Sequence, residues 1–190
     1  MKPLVFLDTE TLGLGFTDPV WEVAVIRRDD EAESETRCQF QIQHAVPEEG
    51  DDQRPAYLRE QYLAQYRPDA ALSRAQAGDL LRTLLAPNSE GKAIIVGSAP
   101  DFDAYRIQYQ LLAGEALWDH HLIDVPTLAL GARGFSARLR RLLLPWNLDE
   151  ACRAYGLDPV GPARHTAMVD AELVEDLFDR VTVGAYRIDR

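Results

Sequence analysis

Leu4-Val5-Phe6-Leu7-Asp8-Thr9-Glu10, near the start of the chain, is the stretch that decides the fold. Four apolar residues in a row, without polar alternation, read as a strand buried on both faces, as in the parallel strands of α/β sheets. The strand is expected over Lys2–Glu10, and it ends on acids. Residues i and i+2 of a strand project from one face, so Asp8 and Glu10 stand side by side. Adjacent carboxylates repel unless positive charge compensates them, and a divalent cation with oxygen preference does so.

Outward from this strand, Val20–Arg28 reads as a second strand. Arg37–Gln43 reads as a third, with Cys38, Phe40 and Ile42 on one face and Gln39, Gln41 and Gln43 on the wet one. Glu48–Arg54 is acidic and polar, a loop. Ser73 with Gln76 forms a capping box for a helix running to about Ala86. Ala93-Ile94-Ile95-Val96 is a buried strand ended by Gly97, followed by a helix with Asp101 as its expected N-cap. Phe102, Tyr105, Tyr109 and Leu112 recur on that helix at helical spacing. His121–Val125 is a short fifth strand. Asn147 with Glu150 caps a further helix ended by Gly156, and a last helix over Thr166–Val183 carries Val169, Leu173, Leu177 and Val181 on one stripe. Three strands followed by helix–strand alternation imply a mixed α/β sheet flanked by helices. No linker or repeat interrupts it, so residues 1–190 are expected to form one domain.

Composition narrows the function classes. The residues are 46% hydrophobic and 27% charged, as in an ordinary globular domain. Cys38 and Cys152 have no paired spacing and suit a reduced compartment. The apolar run before Asp8 is too short for a signal peptide or a membrane span, so a cytoplasmic protein without a membrane partner is expected. The net charge of −11 argues against a protein that coats duplex nucleic acid, which needs a basic footprint. It argues less against an enzyme that grips only the last nucleotides of a strand.

Two more signals carry chemistry. Asp103 lies in the first turn of a helix that follows a buried strand, where ligand sites of open α/β sheets gather. In His165-Thr166-Ala167-Met168-Val169-Asp170, Asp170 stands near the start of the last helix and His165 on the loop before it. A loop histidine beside a metal-bound carboxylate can take a proton from an attacking water near neutral pH. His44, His120 and His121 read as surface or capping residues. Phosphatases of the haloacid-dehalogenase type also place two acids after the first strand, but both are aspartates, and Glu10 breaks that pattern.

Asp8-Thr9-Glu10, Asp103, and His165 with Asp170 five residues later form an ordered set that resembles the DEDDh 3′–5′ exonucleases, the proofreading-subunit-like branch of the ribonuclease-H-like superfamily. Trp21-Glu22-Val23-Ala24 is similar to the family's second strand, and Leu148-Asp149-Glu150-Ala151-Cys152 to the helix before its last motif. The resemblance implies a ribonuclease-H-like mixed sheet and a two-metal mechanism. Asp8, Glu10, Asp103 and Asp170 would hold two Mg²⁺ or Mn²⁺ ions, with His165 as general base. Thr11, Leu12 and Leu14 would contact the terminal nucleotide, Leu14 as a wedge between the last two bases. The substrate implied is the 3′ end of a single strand, DNA before RNA, released as nucleoside monophosphates, with a polymerase or another replication or repair protein as possible partner. A short-RNA exonuclease, or a non-catalytic nucleic-acid-binding or polymerase-docking module of the same fold, are the alternatives. Ser98-Ala99 departs from the His-Asn of many relatives, which bears on substrate choice, and Met168 from a smaller residue or leucine. Arg133, Arg138, Arg140, Arg141 and Arg164 make up the one dense basic region.

Overall fold

In the computed structural model, which describes residues 1–29, 34–45, 56–132, 147–159 and 165–186, five strands form one mixed sheet in the order β3-β2-β1-β4-β5. Strand β1 (Leu4–Thr11) pairs antiparallel with β2 (Val20–Asp29), and β2 pairs antiparallel with β3 (Ser34–Gln41). On its other edge β1 runs parallel to β4 (Ile94–Gly97), which runs parallel to β5 (Ile123–Asp124). Among the described residues the flanking helices are α1 (Ala56–Gln65), α2 (Arg74–Leu84), α3 (Pro100–Gln110), α4 (Val125–Ala132), α5 (Leu148–Ala154) and α6 (Ala167–Tyr186). An antiparallel meander followed by two parallel strands is the ribonuclease-H-like α/β arrangement expected from the sequence. No helix among the described residues is long and apolar enough to cross a membrane.

The unbroken apolar run of β1 is explained by its two covered faces. Val5 and Leu7 pack with Val23 and Val25 of β2 against Ala77 and Leu81 of α2 and Ile107 of α3. Phe6 points the other way, with Ala24 and Ile26, toward Ala129, Ala151 and the α6 residues Ala171, Val174 and Leu177. Val5, Phe6 and Leu7 are fully buried, each contributing roughly 1.5–3 kcal/mol. This alternation sorts the polar end of the strand as well. Asp8 and Glu10 continue the Phe6 face toward α6, and Thr9 continues the Leu7 face toward α3.

Local signals set several boundaries. Ser73 and Gln76 form the expected capping box on α2, and Asn147 Oδ1 accepts from the Glu150 N–H at 2.9 Å to start α5. Past α5, Gly156 adopts φ +74, the left-handed conformation that ends a helix most cheaply in a glycine. At the end of β4 a Cβ on Gly97 would lie 3.2 Å from the Leu7 carbonyl oxygen and 3.0 Å from Pro100 Cβ, so a side chain there would press the start of α3 away from β1.

Elsewhere tertiary packing overrode the local reading. Asp101 is not the N-cap of α3: that position belongs to Ala99, which has no side-chain cap and adopts φ 54, ψ 53, with Pro100 at the first helical position. Tyr105 and Tyr109 are exposed, so the aromatic stripe is not the inner face of α3; Pro100, Asp103, Ala104, Arg106 and Ile107 are. On α6 the buried line runs through Ala167, Ala171, Val174, Leu177 and Val181, leaving Val169 and Leu173 half-buried. Strand β5 is shorter than expected because Val125-Pro126 opens α4 directly after Asp124, whose carboxylate accepts the Thr127 hydroxyl. Helix α1 was not expected either, although Tyr62 and Tyr66 at i, i+4 and Pro68 beyond its end mark it. The segment Glu48–Arg54, Arg133, Arg138, Arg140, Arg141 and Arg164 lie outside the described residues.

Candidate functional site

The site begins where β1 leaves the sheet. A register shift between Glu10 and Thr11 marks the end of regular pairing with β2. The loop that follows is closed by its own polar groups: Leu12 N–H donates to Pro19 O at 3.0 Å, and Gly15 N–H to Asp18 Oδ2 at 2.6 Å. Side chains at Gly13 or Gly15 would run into the Asp18 carboxylate. Thr11 donates its hydroxyl to Gly13 O at 2.7 Å, and Leu12 packs on the buried Trp21, Tyr62 and Tyr66 rings. Leu14 is 87% exposed at the tip, so it has no core role.

Helix α6 brings the other half. His165 adopts φ 65, an uncommon left-handed conformation for a residue with a side chain. Its carbonyl accepts from Gln61 Nε2 of α1, its backbone then turns into α6, and Asp170 N–H closes the first helical bond on Thr166 O at 3.1 Å. Asp170 thereby sits in the first turn, where the helix dipole favours negative charge, and faces the Phe6 side of β1. Oxygens of Asp8, Glu10 and Asp170 all lie within 4.8 Å of one another. Three carboxylates this close form an all-oxygen donor set of the kind that suits Mg²⁺ or Mn²⁺ rather than a thiophilic metal.

Asp103 is placed differently. It is 3% exposed on the opposite face, where its Oδ1 accepts the Thr9 hydroxyl at 2.5 Å, and it is not part of the Asp8, Glu10 and Asp170 grouping. Burial pushes its carboxyl up to about 7, against the opposing pull of the Thr9 hydroxyl and the Arg106 guanidinium. Arg106 itself is buried, lies over the Phe102 ring at 3.3 Å and donates to the carbonyls of Leu14 at 2.7 Å and Gly15 at 3.0 Å. Helix α3 therefore holds the loop that carries Leu14. Its own start is tied to β5, since Ala99 N–H donates to Asp124 Oδ1 at 3.0 Å.

Between these parts lies a cleft of about 320 Å³ lined by Asp8, Ser98, Asn147, Leu148, Asp149, His165 and Asp170. The size falls at the lower end of small-ligand sites. His165 is exposed to this cleft, and so the sequence-separated Asp8, His165 and Asp170 share one wall. Asn147 and Asp149 were legible only as the start of α5, and no local signal assigns them to a site. Helix α6 is fixed beyond its first turn by charge: the nearly buried Glu175 meets Arg28 at 2.7 Å and Arg37 at 2.6 Å, and Arg28 also pairs with Asp179 at 2.6 Å. Burial still holds the Glu175 carboxyl above its ordinary value. Asp119, His120 and His121 form a second grouping with metal-ligand atoms, but Asp119 already binds Lys2 Nζ at 2.6 Å. Compared with models of known protein families and with curated proteins, the chain matches none.

Proposed function

We propose that the chain is a divalent-metal-dependent 3′–5′ exonuclease of the DEDDh kind, acting on single-stranded nucleic acid with DNA favoured. The observation that carries this reading is the meeting of Asp8 and Glu10 from β1 with Asp170 from α6, with His165 on the same cleft. A lone acidic pair at a strand end is commonly just solvated. Bringing a third carboxylate to it from the other end of the chain builds in repulsion that a cation relieves.

Asp8, Glu10 and Asp170 would hold the cation by their shared oxygens. Asp103, whose buried carboxyl is held by Thr9, would add the fourth carboxylate only once a cation draws it into the ionised form. Bound divalent cations supply charge neutralisation at the scissile phosphate and lower the pKa of a water. His165 takes the proton from the attacking water, its imidazole reaching the cleft from a backbone fixed in one conformation. Thr11, Leu12 and Leu14 receive the terminal nucleotide, and the exposed Leu14 is free to insert beside the last base.

The test is direct. Purified protein with 3′-labelled single-stranded DNA or RNA should release mononucleotides with Mg²⁺ or Mn²⁺ and none with chelator. Absence of any release with either strand and either metal sinks the proposal.

A further inference from the structure

Glu22 is a carboxylate with 2% of its surface exposed, and among the described residues no cation pairs with it. It stands opposite Glu10 in the β1–β2 register, on the face that meets α6. Its Oε2 accepts the Ala167 N–H at 3.1 Å, and its Oε1 accepts from Gln41 Nε2 at 3.2 Å. Neither donor can reverse its role. Ala167 offers a backbone N–H, and the Gln41 amide is oriented by its other contacts: Nε2 donates to Gln65 O at 3.1 Å, while Oε1 accepts from Arg67 N–H at 2.8 Å. Position 22 therefore requires acceptors at both oxygens, which an ionised carboxylate supplies and an amide does not.

These bonds close a ring. Glu22 holds Ala167, Gln41 links Glu22 to the end of α1, and Gln61 of α1 holds the carbonyl of His165, two residues before Ala167. The left-handed backbone of His165 lies inside the ring and is over-determined by it. We infer that Glu22 is a positioning residue, which fixes the first turn of α6 so that His165 and Asp170 face Asp8. It touches no substrate itself. The inference rests on the exonuclease reading for its functional half, but its structural half stands on Ala167 alone.

The experiment compares Glu22→Gln and Glu22→Ala with the parent by turnover of a labelled strand and by hydrogen exchange at the Ala167 amide. Glu22→Ala should lower kcat by about 10–100-fold, the usual scale for a partner that orients a site, while KM and Ca²⁺-supported strand binding move by less than about threefold. Glu22→Gln can satisfy only one donor, and should fall between Glu22→Ala and the parent. Ala167 should exchange at least about tenfold faster in Glu22→Ala, with exchange in the β1–β3 core unchanged. Should Glu22→Ala fail to fold, Gln61→Ala opens the ring from the other side and should lower kcat in the same direction. Parent-like turnover in Glu22→Ala, or parent-like Ala167 protection, overturns the inference. A parent protein with no turnover removes the exonuclease reading, and Ala167 exchange still judges the role of Glu22.

Discussion

The first turns of α3 and α6 are built alike and used differently. Each follows a left-handed residue that is not glycine, Ala99 before α3 and His165 before α6, and each carries an aspartate, Asp103 or Asp170. Helix α6 packs on an apolar face, with Glu22 and Gln61 holding its start by hydrogen bonds and Arg28 and Arg37 pairing with Glu175 further along, and Asp170 is delivered to the Asp8 and Glu10 face of β1. Helix α3 likewise joins an apolar face to polar contacts, through Arg106 to the Leu14 and Gly15 carbonyls, but Asp103 is delivered to the opposite face, under Thr9. Two acids of similar local sequence context thus have different electrostatic lives. One joins a carboxylate group that a cation would relieve, and in the other burial raises the carboxyl above its ordinary value.

The largest expected effect tests the α6 side. Asp8→Ala, and separately Asp170→Asn, should reduce release of mononucleotides below detection, because the cation's several kcal/mol of transition-state stabilisation is lost at about 1.36 kcal/mol per tenfold. Thermal unfolding in chelator should show both variants at least as stable as the parent, since one source of repulsion is gone. Turnover near the parent level in either variant would remove the site.

His165→Ala comes next, with turnover expected to fall about 10²–10⁴-fold. Strand binding in Ca²⁺ should survive, because the carboxylates remain. In the parent, turnover should fall as pH is lowered, since an imidazolium accepts no proton. A His165→Ala protein with the parent's rate and pH profile places the base elsewhere.

Asp103 sharpens the comparison through stability. Its folded value of about 7 lies above the ordinary carboxylate value, so folding favours the protonated form. Its contribution is complete below the unfolded pKa, about 3.9, and is lost as pH rises toward 7. Asp103→Asn should therefore gain on the metal-free parent between pH 4.5 and pH 7.5, by on the order of 2–4 kcal/mol, in denaturant titrations with chelator. Denaturation midpoints that stay parallel across that range would show that Asp103 is ionised in its pocket. Asp103→Asn should still lose cleavage, whereas the exposed Asp101 tolerates Asn with turnover intact.

Smaller effects distinguish how the helices are held. Glu175→Gln leaves Arg28 and Arg37 facing a neutral amide, and should cost about 1–3 kcal/mol, or several degrees of Tm for a chain of this size. Ala99→Asn replaces a strained left-handed alanine with a residue that tolerates the conformation, and should raise stability by up to about 1 kcal/mol. An Ala99→Asn variant that melts below the parent would mean that the loop between β4 and α3 needs the small side chain at that position.

The sequence was readable where structure depends on near neighbours. Strand runs, the Ser73 and Asn147 caps and the Asp8–Glu10 pairing all follow from period and spacing, and each appears in the fold. It was misleading where a distant contact decides. Arg106 looks like a surface residue of α3, yet it is buried because the carbonyls of Leu14 and Gly15 need donors. Asp101 is a good N-cap by residue type, but the chain turns through Ala99 because that N–H finds Asp124. The placement of Asp103 under Thr9 depends on which sheet face α3 covers, and Asn147 and Asp149 reach the cleft through the docking of α5. Neither fact is local, and the spacing of the motifs says nothing of either.

Helix α6 packs across β1 and β2, although most of the chain separates it from both. In kinetic terms the β1–β3 meander closes short loops and can form early, while docking α6 closes a long one and comes late. Asp170 is therefore expected to meet Asp8 and Glu10 late in folding. Cations would accordingly have little influence on collapse of the sheet and would act on retention of the helix. If the proposed site takes Mg²⁺, the ion should slow unfolding more than it speeds refolding, and free metal would then set how long the assembled protein lasts.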